Sequence, residues 1–201
     1  MNKKFAFTLS EILVAMAIIG VISALTVPTL LNNYQTKALS LQLRKTVNDI
    51  ESAVDMLITE EGKTKFSSTS GYANLNSFVT NRLKTIKTCS KDETNQCFAN
   101  ENYYNINSNG TASAFTCEGN SYVLASSAAI CMTKSGTSVK VNIDVNGQDG
   151  PNIGGRDMFI FMINSNGEIT GTGNEDTCTT SNFGDGCYDL LAEENNWKMN
   201  Y

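Results

Sequence analysis

The side chains of this 201-residue chain that could do chemistry fall into three groups. The first is a set of six cysteines, Cys89, Cys97, Cys117, Cys131, Cys178 and Cys187, all beyond the first third of the chain and lying as three sequence-local pairs. The second is a glycine-rich stretch of oxygen-bearing side chains, Asp144, Asn146, Asp149 and Asn152, with Asp157 just beyond. The third is a single acid, Glu11, set at the start of a long apolar run. Histidine is absent, which removes the commonest general acid-base residue and the commonest ligand for transition metals.

Each group has its own chemistry. None of the cysteines forms the C-x-x-C spacing that zinc favours, and an even count suits a disulfide framework in an oxidising compartment. With the cysteines paired and no histidine, a hydrolase would have only a Ser-Lys or paired-carboxylate site left, and no motif supports either. The chain is therefore not expected to be an enzyme. Its 15 basic and 20 acidic residues give a net charge of -5, without the cationic surface that nucleic acid requires, so no nucleic-acid partner is expected.

Glu11 is explained by the element that carries it. From Ile12 to Val27 the chain reads ILVAMAIIGVISALTV without a charge, and Phe7 to Leu9 before it and Leu30 to Leu31 after it extend the stretch to bilayer length. Lys3 and Lys4 precede it, which places the N-terminus in the cytoplasm and the rest outside. An acid just inside such a run gains from the helix dipole but costs a few kcal/mol in lipid unless a cation meets it. Cleavage after Ala6 would create that cation, the new amine of Phe7. In a stack of identical helices the amine of one subunit would meet Glu11 of its neighbour.

The run Lys3-Lys4-Phe5-Ala6-Phe7-Thr8-Leu9-Ser10-Glu11 and the apolar stretch after it resemble the processing signal of type IV prepilins and type II secretion pseudopilins. The resemblance implies cleavage between Ala6 and Phe7, N-methylation of Phe7, and a role for Glu11 in methylation and assembly; Ala6 stands where Gly is usual. Pro28 matches a proline that bends the helix in many members of that family. The partners implied are other pilin-like subunits or copies of itself, prepilin peptidase, an inner-membrane assembly platform and membrane lipid. The location implied is the inner membrane, then a periplasmic or cell-surface filament. An ordinary secretory signal would keep its apolar centre free of Glu, and a plain anchor leaves Glu11 unexplained. A membrane-anchored binding or adhesion module is the alternative function.

Beyond Asn32-Asn33-Tyr34 no glycine or second proline breaks the chain until Gly62, so the helix is expected to continue. Leu39, Leu43, Val47, Ile50, Val54 and Leu57 recur at steps of three and four, an apolar stripe on one face. Gly62 is the expected stop. Strands are predicted at Tyr122 to Ala125, Val139 to Val145, Met158 to Ile163 and Ile169 to Thr170, with Asn164-Ser165-Asn166-Gly167 as a hairpin connection. Residues 63 to 81 are too polar to be assigned to an element. The fold class is α+β: a long N-terminal helix packed on an antiparallel sheet, pilin-like and disulfide-stabilised. Its segments are a leader (1–6), a transmembrane and assembly helix (7–31), an amphipathic helix (32–62) and a β-rich head (63–201).

The acidic stretch remains. Alternating oxygen ligands on a glycine-rich loop can nest calcium, and some pseudopilins carry calcium in a C-terminal loop, so Asp144, Asn146, Asp149 and Asp157 are its candidate ligands. As an EF-hand the loop fails, because Asp149 replaces the turn glycine and Gly155 stands where a bidentate Glu should be. Turn chemistry, with Asp and Asn capping the backbone, is the simpler expectation. No other cofactor is expected. Cys178 and Cys187 enclose a loop whose position resembles the disulfide-bounded C-terminal region of pilins, and Trp197 is expected to pack on the domain.

Overall fold

A computed structural model describes residues 8–107 and 111–199. Helix α1 runs from Leu9–Glu60, 52 residues with Pro28 inside. It ends where Gly62 takes φ 59°, the left-handed region open to a residue without Cβ. Gly62 N donates to Thr59 O at 3.1 Å and Lys63 N to Ile58 O at 2.9 Å, the paired bonds of a Schellman stop. Contacts divide the chain into two units, one ending at Ala38 and the other beginning at Leu39.

In the second unit, α1 buries the expected stripe. Leu43, Val47, Ile50, Val54 and Leu57 are buried, joined by Ser40, Thr46 and Ala53, while Leu39 is half-buried against the core. The polar stretch after Gly62 holds a 3-10 turn at Phe66–Ser68 and two short helices, α2 at Ser70–Ala73 and α3 at Leu75–Arg82. Their starts are set by polar caps rather than by an apolar period: Thr69 accepts from Tyr72 N and Asn74 from Ser77 N. Phe66 and Phe78 fill the space beneath, with ring centroids 5.5 Å apart.

Six strands, β1 Thr85–Cys89, β2 Ser121–Leu124, β3 Ala129–Ser135, β4 Ser138–Asp144, β5 Met158–Ile163 and β6 Ile169–Thr170, form one antiparallel sheet in sequence order. The four predicted strands are present within one or two residues; β1 and β3 are additions. β1 is an edge strand with a register irregularity between Thr85 and Lys87 and little burial, so its sequence lacks an apolar alternation. β3 begins with four buried residues because both sheet faces are covered there, which erases the alternation that marks a strand.

The register sorts the two faces. Ile130, Ile143 and Phe159 form one row, and Met132, Val141 and Phe161 another, both on the face packed against α1. Between them, Cys131, Asn142 and Ile160 point the other way. That outer face is covered by the long β1–β2 connection, whose Phe98, Ala99, Tyr103 and Cys117 make a second core with Ala129, Cys131 and Met158. After β6 come α4 at Glu175–Thr180 and α5 at Cys187–Asp189, followed by a wide turn at Leu190–Glu194. The α+β class, with its antiparallel sheet, is as the pattern predicts.

All three cysteine pairs are bonded sequence-locally: Cys89–Cys97, Cys117–Cys131 and Cys178–Cys187, with Cα separations of 6.1, 5.9 and 4.6 Å. Trp197 packs on the domain as expected: its ring lies 6.1 Å from that of Tyr188, with the Arg44 guanidinium 5.7 Å from its centre. Its carbonyl accepts from Ser40 Oγ at 2.5 Å, fastening the C-terminal segment to α1.

Candidate functional site

Ala6 and Phe7, the expected cleavage site, lie outside the described residues. The described chain opens on a feature the sequence reading passed over. Thr8 N and Thr8 Oγ1 donate to Glu11 Oε2 at 2.8 and 2.7 Å, while Glu11 N donates back to Thr8 Oγ1 at 3.3 Å. This is a capping box, and the signal for it was present: Thr-x-x-Glu immediately before an apolar run. The box satisfies backbone donors at the helix start without any cation. It uses one carboxylate oxygen only; Oε1 takes no hydrogen bond from any described residue.

The helix that follows has apolar side chains open on every side. Leu13, Met16, Ile19, Ile22 and Leu25 are between 55% and 73% exposed, and none of the most apolar window is buried. A soluble core helix would hide such residues, each worth about 1.5 to 3 kcal/mol when fully removed from water. Length and composition suit this segment to crossing a membrane. Thr26 and Thr29 return their hydroxyls to the carbonyls of Ile22 and Leu25 within the helix. Pro28 lies inside α1 without ending it.

The structure brings Asp144 and Asp157 together in the head. Both are fully buried. Tyr103 Oη, from the β1–β2 connection, donates to Asp144 Oδ2 at 2.5 Å and accepts from Ala99 N at 3.2 Å. Asp157 accepts from Asn152 N at 2.6 Å and Ile153 N at 2.7 Å, closing the loop between β4 and β5. Burial pushes the Asp144 carboxyl up to about 8, with the nearby Asp157 charge adding to it. Burial likewise raises Asp157, to about 6, against the pull of the amides it accepts. Tyr103 is raised by burial and by the Asp144 charge, so its phenol keeps its proton and donates it. Tyr103 was not foreseen, because 41 residues separate it from its acid.

The other two candidate ligands sit apart from this pair. Asn146 Nδ2 donates to the carbonyls of Asp149 and Gly150 at 2.7 and 2.8 Å, and the Asp149 side chain faces solvent. Asn146 Oδ1 and Asn152 Oδ1 are buried without a hydrogen-bond partner among the described residues. Among the described residues no three His, Cys, Asp or Glu side chains come together where an ion could sit. With both Asp157 oxygens on backbone amides and Asp144 on Tyr103, the arrangement does not fit a calcium cage. It works as an internal clamp that joins the β1–β2 connection to the β4–β5 loop.

Comparison with known proteins adds one finding about the N-terminus. Residues 1–27 match the family described as the prokaryotic N-terminal methylation motif, the signature of type IV pilin and pseudopilin signals. Searches among curated proteins and among solved structures return no match.

Proposed function

We propose that this chain is a structural subunit, pilin or pseudopilin, of a type IV pilus or type II secretion filament, and that its work is polymerisation rather than catalysis. Prepilin peptidase would cut after Ala6, the inner-membrane assembly platform would extract the mature helix, and neighbouring pilin-like helices would then replace lipid around it. The observation that carries this reading is the conjunction at the N-terminus: a methylation motif over residues 1–27 and an apolar helix that no described residue buries. Surface of that kind needs either lipid or copies of itself. Oε1 of Glu11, which takes no hydrogen bond from any described residue, supplies an acceptor for an incoming amine while the capping box holds Oε2.

Two measurements test the proposal. Protein recovered from membranes and from sheared filaments should begin at methylated Phe7, by intact mass and N-terminal sequencing; a Met1 start in filaments would overturn it. Glu11→Ala should then abolish incorporation into filaments while leaving the head folded. Thr8→Val separates the two roles of this corner, because it breaks the capping box, worth about 0.5 to 2 kcal/mol, and keeps the charge. Incorporation should survive Thr8→Val. A tethered binding module would be indifferent to Glu11→Ala.

A further inference from the structure

The outer face of the sheet holds a cleft that subunit polymerisation does not require. Its floor is read from the register: Cys131, Asn142 and Ile160 form one row, and Thr133 and Lys140 stand opposite each other in the next row on the same face. Phe115 and Phe183 together form one side of a half-open cleft of about 220 Å3. The two rings meet edge to face with centroids 5.5 Å apart. Asn182 ties the two ring-bearing loops together, donating to Thr111 O at 2.7 Å and Ser113 Oγ at 3.1 Å.

Two disulfides fix this arrangement. Cys117–Cys131 bonds the wall that carries Phe115 to the floor strand β3, and Cys178–Cys187 closes the loop that carries Phe183. A cleft with covalently tethered walls loses little entropy when it is filled.

The floor is short of acceptors. Asn142 is 93% buried, yet its side-chain amide makes no hydrogen bond with any described residue, although it lines the cavity. Its polar atoms still reach solvent through the cleft, so a ligand there would take over hydrogen bonds from water. The Thr133 hydroxyl and Lys140 ammonium beside it also have no partner among the described residues, and Lys140 is in no ion pair with any of them. Three donors stand side by side on this floor, one of them charged, with Ile160 among them and the two aromatic rings at the side. The one acid on the lining, Glu118, is solvent-exposed, where water screens its repulsion. We infer that this cleft binds a small organic carboxylate, its anionic end on Lys140, Asn142 and Thr133 and its ring or apolar body against Phe115 and Phe183. The cavity falls below the usual range of about 300 to 1,000 Å3 for ligand pockets, which restricts the body to a single ring.

The test uses the full chain in dodecylphosphocholine micelles and saturation-transfer NMR. Benzoate and glucuronate are the probes, and benzamide and glucose are their neutral counterparts. At least one acid should give saturable binding and its neutral counterpart should not; which acid binds tells an aromatic body from a sugar acid. Lys140→Gln should weaken that binding about tenfold or more, the scale of a lost charge-assisted bond. Thr133→Val should weaken it less, and both variants should melt as the parent does. No saturable signal from either acid, equal binding of the neutral counterparts, or binding untouched by Lys140→Gln would each overturn the inference.

Discussion

The buried acid pair makes this head sensitive to alkali. An aspartate in the unfolded chain titrates near 3.9, whereas Asp144 in the fold is pushed up to about 8 and Asp157 to about 6. Between these values the folded state holds more protons than the unfolded state, so stability falls as pH rises from about 4 towards 8. The stabilisation is fully present at the acid end of that window and is lost through the folded pKa of each group. Thermal unfolding followed from pH 5 to pH 9 should show the melting temperature declining. Asp144→Asn should flatten the slope and raise stability at pH 8, since an amide oxygen still accepts from Tyr103 without carrying a buried charge. An equal or steeper slope in the variant would remove the clamp as its cause. The acids themselves were legible in the sequence, but their chemistry was not: Tyr103 arrives from a distant connection, and only its 2.5 Å bond turns a suspected ligand into a hydrogen-bond partner.

Helix α1 has two kinds of apolar residue, distinguished only by what lies against them. Ile50 is fully buried beneath the sheet, and Ile19 is 63% exposed. Ile50→Ala should cost the head about 2 to 5 kcal/mol in denaturant unfolding, whereas Ile19→Ala should leave that midpoint unchanged. A large effect of Ile19→Ala on head unfolding would contradict the division of the chain between Ala38 and Leu39. The helix could be read from its residues because one apolar period and one stop glycine span it. The strands were legible where turn residues bracket them. β1 and β3 escaped because the signals that name a strand fail at a polar edge and in a doubly covered centre.

For the molecule as a whole, three short covalent loops carry weight that a polar, Asn- and Ser-rich head cannot draw from burial alone. Each closes 8 to 14 residues, worth about 2 to 3 kcal/mol by loop-closure entropy. Replacing Cys89 and Cys97 together with serine should lower stability by that amount in denaturant unfolding; a wild-type midpoint would show that the loop is already ordered without its bond. Composition and order of residues determined what acts locally: a processing signal in the first residues, an apolar run that water cannot solvate, a helix long enough for its stripe, and cysteines close enough to find each other. Those properties depend on neighbours within a few positions, so the chain states them directly. Tertiary structure decided what depends on distant partners: which face of the sheet each strand offers, that Asp144 meets Tyr103, and that two disulfide-held loops wall a cleft over Asn142. Folding brings such groups within hydrogen-bond reach across tens of residues, and nothing in their local spacing records it.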